Sequence, residues 1–230
     1  MAKKPHPANP LALAVLALLF ERPMHPYEMA ATMKQRHKEK SIKLRYGSLY
    51  TVIELLLARG LIAAQATSRE GKRPERTVYR LTDAGREALL DWMRDLLRDP
   101  VKEYPQFEAA LSLMPVLPPE EAITLLRDRA RQLAGEAARI ETELADVAAM
   151  PWPVTAGTHE LPPALLKQRR FPPLFIVEAE YRLAMIRAEQ AFVSELIRRF
   201  VDDGWGPVDL WRDIQAACAA QHEKSEEGPG

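Results

Sequence analysis

The chain has 230 residues, 47% hydrophobic and 28% charged, which is enough to bury a sizeable core in one large or two small domains. The single cysteine excludes an internal disulfide, and no Cys or His spacing is typical of a zinc site. The formal net charge is zero, yet residues 1–86 hold 16 Lys and Arg against 7 Asp and Glu, a balance of +9. Basic helix surfaces are often merely solvated, but this asymmetry favours a nucleic-acid partner. We expect a reducing, cytoplasmic setting.

The N-terminal region begins with two predicted helices. Asn9 and Pro10 are typical of a helix start, and residues 11–20 are apolar on every side, so the first helix has to be buried. This apolar run is too short to cross a membrane and no later segment is apolar enough, so we expect no membrane partner. A second, short amphipathic helix begins within residues 24–28, again with a proline, Pro26, at its start.

Three further elements follow along the chain. A third helix is predicted over about residues 46–59, with Gly60 suited to ending it in the left-handed conformation. Two segments with strand character, residues 61–66 and 77–81, flank a polar, basic hairpin tip. Thr82 is suited to capping a fourth, amphipathic helix. The order helix, helix, helix, hairpin, helix is that of a winged helix-turn-helix.

The start of the third helix carries groups that DNA accepts. In a helix-turn-helix, the second helix of the pair presents its N-terminal side chains to base edges. Because the inward face uses Leu49, Ile53 and Leu56, hydroxyl-bearing side chains and Glu54 are left toward the outside. Cations at the hairpin tip would lie along the neighbouring groove and govern salt dependence. The candidate DNA-binding residues are Lys43, Arg45, Gly47, Ser48, Tyr50 and Thr51 at the entry and start of the third helix, and Arg69, Lys72, Arg73 and Arg76 on the wing.

From residue 119 the pattern becomes that of a long coiled-coil seam. Apolar residues alternate spacings of three and four over 25 residues, and a second long helix at about residues 175–203 offers a partner face. Six prolines in residues 151–175 exclude continuous helix there, which leaves a connection or a lid. A last short helix is predicted at about residues 207–221. The seam residues predicted to serve dimerisation are Ile123, Leu126, Ala130, Leu133, Ala137, Ile140 and Leu144.

These elements predict a mainly α protein with two domains. Residues 1–98 form an N-terminal winged helix-turn-helix DNA-binding domain with a small β-hairpin wing. Residues 99–222 form a C-terminal α-helical, coiled-coil-like domain for dimerisation and an effector. Residues 223–230 have the composition of a disordered tail.

The N-terminal motifs resemble the PadR family of bacterial transcriptional regulators over residues 11–86. Pro26 departs from the family, which more often has glycine after the histidine, so the backbone is stiffer where the second helix begins. Beyond residue 100 the chain is similar only in kind to the longer C-terminal, Vir-like subgroup. The matching segments are Met-His-Pro-Tyr-Glu at 24–28, Gly-Ser-Leu-Tyr at 47–50, Leu55 with Gly-Leu-Ile at 60–62, and Tyr-Arg-Leu-Thr-Asp-Ala-Gly at 79–85.

The resemblance implies a homodimer whose C-terminal helices interlock and which binds double-stranded DNA at an inverted-repeat operator. Family members usually repress, and in some a small molecule relieves DNA binding. Gly47 and Gly60 would be required for the backbone at their positions and not for side-chain contacts. By position, the resemblance implies DNA contacts from Tyr27, Ser48, Tyr50 and Thr51 on the helices and from Lys72, Arg73 and Arg76 on the wing.

Other classes of function have less support in the residues. No phosphate loop surrounds residues 71–72, no Gly-x-Ser-x-Gly surrounds Ser48, and the five histidines are scattered. We therefore expect no enzyme, no cofactor and no metal, and His25 is better suited to a structural or capping role than to metal binding. A protein-interaction module that uses the winged fold and coiled coil without recognising an operator stays open as the alternative.

A small-molecule effector site is the weakest expectation. Aromatic and cationic side chains in residues 151–175 would suit an anionic or aromatic ligand in a pocket between the C-terminal helices. An ordinary connection packed by aromatic residues is the favoured interpretation of that segment. The candidate effector residues are Trp92, Trp152, Arg169 and Arg170, of which Trp92 is more typical of a core position.

Overall fold

The computed structural model describes residues 9–43, 45–68, 76–149, 174, 176–202 and 208–226. The chain divides into two compact units, Met1–Glu103 and Tyr104–Gly230. Across the described ranges, no helix has both the length and the apolar character needed to cross a membrane.

The first unit is a winged helix-turn-helix, as predicted. A 3₁₀ turn at Lys38–Lys40 lies between its second and third helices. The two strands pair antiparallel, from Ile62 opposite Leu81 to Ser68 opposite Arg76, with a bulge between Ala64 and Ala66. The elements in chain order are α1 (Pro10–Glu21), α2 (Pro26–Gln35), α3 (Tyr46–Ala58), β1 (Ile62–Ser68), β2 (Arg76–Leu81) and α4 (Asp83–Arg98).

The apolar helix α1 forms the centre of this unit, because α3, α4 and β2 all contact it. Its buried side chains share one core with the predicted inward residues of α3, Leu49, Ile53 and Leu56. Val52 joins that core although the sequence pattern did not single it out. Trp92 of α4 is only 6% exposed and packs into the same core, so its placement as an effector residue is corrected to a core role.

Three of the four helices begin with a side-chain cap. The Asn9 carboxamide oxygen, the His25 Nδ1 and the Thr82 hydroxyl oxygen each accept a backbone N–H from the first turn of α1, α2 and α4, at 3.0, 2.9 and 3.0 Å. Each such cap stabilises a helix by about 1 kcal/mol. The capping roles expected for Asn9, His25 and Thr82 are thereby confirmed.

Gly60 ends α3 in the left-handed conformation, with φ of 67°. Its N–H donates to the Leu57 carbonyl at 2.9 Å, and the N–H of Leu61 donates to the Leu56 carbonyl at 3.0 Å. This pair of bonds is the Schellman motif, which satisfies carbonyls at the end of a helix. The Thr82 hydroxyl lies 2.8 Å from the Gly60 carbonyl oxygen, so the end of α3 is joined to the start of α4.

The connection between α1 and α2 pairs with the hairpin. Met24 and Tyr79 of β2 exchange backbone hydrogen bonds, N–H to carbonyl, at 3.1 and 3.0 Å. Tyr79 is partly buried against the core. The stem of the wing is therefore fixed to the residue that immediately precedes the cap of α2.

The second unit is helical. Its two long helices lie against each other, and a 3₁₀ turn at Met114–Val116 precedes the first of them. The last helix ends at Glu226, four residues inside the segment predicted to be a disordered tail, and residues 227–230 lie outside the described ranges. The helices are α5 (Gln106–Ser112), α6 (Pro119–Ala149), α7 (Val177–Val201) and α8 (Val208–Glu226).

The apolar seam of α6 packs against α7 of the same chain. One cluster joins Leu126, Ala130 and Leu133 to side chains that include Val193 and Leu196. A second cluster joins Ala137, Ile140 and Leu144 to Leu183 and Ile186, while Ile123 is half-buried. Six of the seven residues predicted to serve dimerisation thus belong to clusters within their own unit. A heptad seam needs an apolar partner, and a helix in the same chain supplies it.

Ion pairs flank this helical pair. The Arg129 guanidinium stands 3.7 Å from the centre of the Phe107 ring and pairs with Glu189 of α7, at 2.5 Å between Nε and Oε1. Farther along, Arg187 of α7 donates to Glu141 of α6 at 2.7 Å. These contacts are half-exposed at the edge of the seam, so they contribute little to stability. Their main effect is to fix the register of α6 against α7.

The start of α8 is held to the start of α6. The Trp211 indole N–H donates to the Pro115 carbonyl at 3.3 Å, and its ring lies 5.8 Å from that of Phe200. Arg212 donates from Nε to Glu120 at 2.8 Å, and this hydrogen bond lowers the pKa of the Glu120 carboxyl. The ionised form of Glu120 is thereby favoured in the folded chain, and that contribution is lost as the pH falls through the lowered pKa.

Replacement of Gly85 by alanine should destabilise the first unit. A Cβ at this position would lie 1.9 Å from the Leu61 carbonyl oxygen, which is backbone and cannot rotate away. We expect Gly85→Ala to lower the free energy of unfolding by about 2 kcal/mol or more, measured by urea or thermal unfolding. The matched control is Gly135→Ala in α6, where no atom lies within 4 Å of the added Cβ. That change should stabilise its helix by about 0.5–1 kcal/mol. Equal melting of Gly85→Ala and the unaltered chain would contradict the close packing of Gly85 on Leu61.

Candidate nucleic-acid interface

The outward face of α3 is made of small and hydroxyl-bearing residues. Gly47, Ser48, Tyr50 and Thr51 are all exposed, whereas the other face of the same helix is buried in the core. Tyr50 exposes 54% of its surface although it is aromatic. The structure therefore places four of the predicted DNA-binding residues together on one accessible surface, which we call the α3 face.

The start of α3 differs from that of the other three helices in its unit. Its N-cap residue is Arg45, which makes no side-chain capping hydrogen bond. The first N–H groups of a helix have no partner inside the helix and carry the positive end of its dipole. The N-terminus of α3 is thus suited to meeting an anion from outside, such as a phosphate.

Gly47 has no internal reason to be a glycine. It is exposed in the first turn of α3 and its φ is not positive. Apart from its chain neighbours and the backbone of its own helix, no described atom lies within 4 Å of where its Cβ would be. Glycine in a helix costs about 0.5–1 kcal/mol relative to alanine. A position that bears this cost without an internal contact is consistent with close approach of a partner from outside the chain.

Thr51 and Tyr27 also lie within reach of solvent. The Thr51 hydroxyl donates to the Gly47 carbonyl at 3.1 Å, so its lone pairs are left to accept from an outside donor. Tyr27 is the second residue of α2 and is 65% exposed, with its ring centre 6.3 Å from that of His25. The structure thus leaves Tyr27 accessible at the start of the helix that precedes α3.

The cationic side chains of this region differ in whether they pair with a carboxylate within the described ranges. Arg36 forms a two-pronged pair with Glu21 at 2.5 and 2.8 Å, and this hydrogen bonding raises the pKa of Arg36 despite partial burial. Lys43 and Arg45, by contrast, are exposed immediately before α3 and make no ion pair within the described ranges. Their charges are therefore available to a polyanion, whereas that of Arg36 is largely compensated.

The predicted wing contacts fall mostly outside the described ranges. Arg69, Lys72 and Arg73 lie between the described parts of the two strands, and of Arg76 only the backbone, opposite Ser68, is described. Their role stays a prediction. The same holds for the effector candidates Trp152, Arg169 and Arg170, which are also outside the described ranges.

No metal site is apparent in the part of the chain that the structure describes, where no three His, Cys, Asp or Glu side chains are grouped to hold an ion.

Two features of the site were not predicted from the sequence. The uncapped start of α3 could have been read from Arg45, because Ser, Thr, Asp or Asn is usual at that position. The pairing of Arg36 with Glu21 leaves no local signal, since the two residues are far apart in sequence.

Comparisons with known proteins agree with this architecture. Residues 15–91 match the model of the transcriptional regulator PadR-like family. No curated protein sequence matches the chain.

Among solved structures, the chain is similar to Bacillus subtilis PadR in complex with operator DNA, with a TM-score of 0.57 and 18% identity over 83% of this chain and 98% of that one. The same regulator in complex with p-coumaric acid gives a TM-score of 0.57 and 15% identity, covering 85% and 97%. The protein smu.1604c from Streptococcus mutans UA159 gives 0.51 and 16%, covering 82% and 98%.

At these identities the structural likeness shows the fold. The family match covers α2, α3 and the hairpin, and it therefore includes the whole α3 face. Residues 15–91 of this chain are therefore similar to the PadR-like family of transcriptional regulators.

Proposed function

We propose that this protein is a sequence-specific DNA-binding transcriptional regulator, a cytoplasmic homodimer that represses from an inverted-repeat operator. The observation that carries the proposal is the α3 face, whose Gly47, Ser48, Tyr50 and Thr51 are exposed at an uncapped helix start. Lys43 and Arg45, which make no ion pair within the described ranges, add positive charge at the same end. Operator DNA is bound by the similar Bacillus subtilis PadR, which supports the assignment for this chain.

In the proposed complex, α3 enters the major groove with its N-terminal end toward the bases. Ser48 and Thr51 offer hydroxyls that can bond to base edges or phosphates, and Tyr27 contacts the backbone from α2. Lys43 and Arg45 neutralise phosphates, as do Arg69, Lys72, Arg73 and Arg76 of the wing. Bases are thus distinguished by α3, while most of the binding energy comes from charge.

Dimerisation is assigned to the outer face of α7. The apolar seam of α6 is occupied within the chain, yet Val177, Tyr181, Met185 and Phe192 are exposed at helical spacing along α7. A continuous apolar stripe of this kind on a soluble domain commonly marks an interaction surface. A second copy of the chain on this stripe would pair two DNA-binding domains by a twofold axis, which suits half-sites about one DNA turn, or a multiple of it, apart.

The proposal includes release from DNA by a small molecule. Its support is that the similar Bacillus subtilis regulator is solved with p-coumaric acid. For this chain the candidate residues are Trp152, Arg169 and Arg170, whose aromatic and cationic groups suit a small aromatic acid. A panel of such acids, added to the protein bound to its promoter DNA, tests this part. Unchanged DNA affinity throughout the panel would contradict it.

Removal of the charge next to α3 should weaken DNA binding for all sequences alike. We expect the Lys43→Ala, Arg45→Ala double variant to bind duplex more weakly and to reduce the slope of log affinity against log salt by about 1–2, because each lost phosphate contact releases fewer counterions. Fluorescence anisotropy over a salt series gives the slope. The control is the Arg127→Ala, Arg139→Ala variant, which removes two exposed charges from the second unit. If the unaltered protein shows no salt-sensitive binding to its own promoter region, the protein-interaction module becomes the better hypothesis.

Addition of a methyl group at Gly47 should separate folding from DNA binding. The position has space in the free protein, so Gly47→Ala should melt at the same temperature as the unaltered chain or slightly higher. On DNA, the same methyl group would stand at the close approach of α3, and we expect a loss of affinity of roughly tenfold. Anisotropy and thermal unfolding on the same preparation measure both effects. An unchanged affinity would contradict the placement of Gly47 against DNA.

A charge in the middle of the α7 stripe should dissociate the dimer. Tyr181 is 68% exposed, so Tyr181→Glu should leave the folded unit intact while burying a carboxylate in the proposed interface. We expect light scattering to change from dimer to monomer mass, with weaker operator binding. Gln132→Glu, at an exposed position on α6, is the control with the same charge change. A dimer that persists in Tyr181→Glu would place the interface elsewhere.

A further inference from the structure

Glu54 is an acidic residue on the α3 face. It is exposed, and it follows Gly47, Tyr50 and Thr51 at spacings of seven, four and three residues, which place all four on one side of the helix. Thr51 and Glu54 are separated by about 4.5 Å along the helix axis. A carboxylate therefore lies on the surface proposed to enter the major groove, one turn beyond the hydroxyl-bearing residues.

Among the residues that the structure describes, the Glu54 carboxylate has no structural role. It makes no hydrogen bond or ion pair within the described ranges, whereas Glu21 and Glu28 of the same unit pair with Arg36 and Arg22. Its neighbours inward, Ile53 and Val52, are the residues that hold α3 to the core. No contact among the described residues explains Glu54, which points to a role toward a partner outside the chain.

An unpaired carboxylate on a DNA-binding face reduces affinity for phosphates, because like charges repel. The repulsion acts on every duplex regardless of sequence. It is offset only where a base offers a hydrogen-bond donor, since an ionised carboxylate can accept but not donate. In the major groove cytosine presents an amino donor, the amino donor of adenine lies beside the N7 acceptor, and guanine presents two acceptors. A carboxylate, which only accepts, is therefore best matched by cytosine.

We propose that Glu54 is a specificity-determining residue, whose carboxylate accepts a hydrogen bond from the amino group of a cytosine in each half-site and disfavours other duplexes. The inference rests on the proposed DNA-binding function and adds to it the class of base that is recognised. Duplexes without this cytosine are then bound more weakly, because nothing offsets the repulsion between Glu54 and the phosphates. The carboxylate therefore increases discrimination between sequences more than it increases affinity for the operator.

Selection of duplexes from a randomised library by the unaltered full-length protein, followed by sequencing, gives the base preference at each position. The same selection is made with Glu54→Ala and Glu54→Gln, both of which replace an exposed helical residue with a good helix former. The control is Glu87→Gln, an equal charge change at an exposed position of α4. Circular dichroism on each variant verifies that helix content and melting are retained.

We expect Glu54→Ala to lose roughly tenfold of the preference for a C·G pair at one position per half-site, with other positions unchanged. Glu54→Gln should move that position toward A·T, because a carboxamide pairs with the N6 and N7 of adenine. Both variants should bind non-specific duplex a few times more tightly. Glu87→Gln should keep the preference of the unaltered protein at every position.

The opposite results are equally distinct. If base preferences in Glu54→Ala stay within twofold of the unaltered protein, or if Glu54→Ala and Glu87→Gln change binding alike, the inference is overturned while the regulator assignment stands. Uniform weakening of Glu54→Ala on all duplexes would likewise overturn it. Failure of the unaltered protein to bind any duplex would overturn both this inference and the proposed function.

Discussion

Burial of α1 is the constraint on which the first unit depends. A helix that is apolar on every side has no face that water tolerates, so other elements have to surround it. The structure meets this requirement with α3, α4 and β2, all of which contact α1. Because α3 is held by its inner face, its outer face is both free and rigidly oriented. A DNA-binding surface needs that combination, since its side chains have to meet base edges without first being ordered.

Local patterns predicted much of this unit. The inner face of α3 was evident from the spacing of Leu49, Ile53 and Leu56, and Gly60 marked the end of the helix because few other residues adopt a positive φ. The caps at Asn9 and Thr82 could likewise be predicted, because each depends on residues two or three positions away. These features require only neighbours in sequence, which a single chain displays.

Contacts between distant residues could not be predicted in this way. The pairing of Met24 with Tyr79, and the packing of Gly85 on the Leu61 carbonyl, join segments whose separate sequences give no hint of each other. The seam of α6 shows the same limit differently. A heptad pattern reports that an apolar partner exists, but it is identical for a helix in the same chain and for one in a second copy. Here the same chain supplies it, and Tyr181 on the far side of α7 becomes the more informative residue for assembly.

The bridge between Met24 and Tyr79 has a consequence for motion. It locks the stem of the hairpin to the connection that precedes α2, through two backbone hydrogen bonds. Tyr79 packs against the core, so we expect the amide protons of both residues to exchange slowly with solvent. We therefore expect the wing stem and the start of α2 to move together. In the proposed complex, a displacement of the wing by DNA would reach the start of α2 through this bridge.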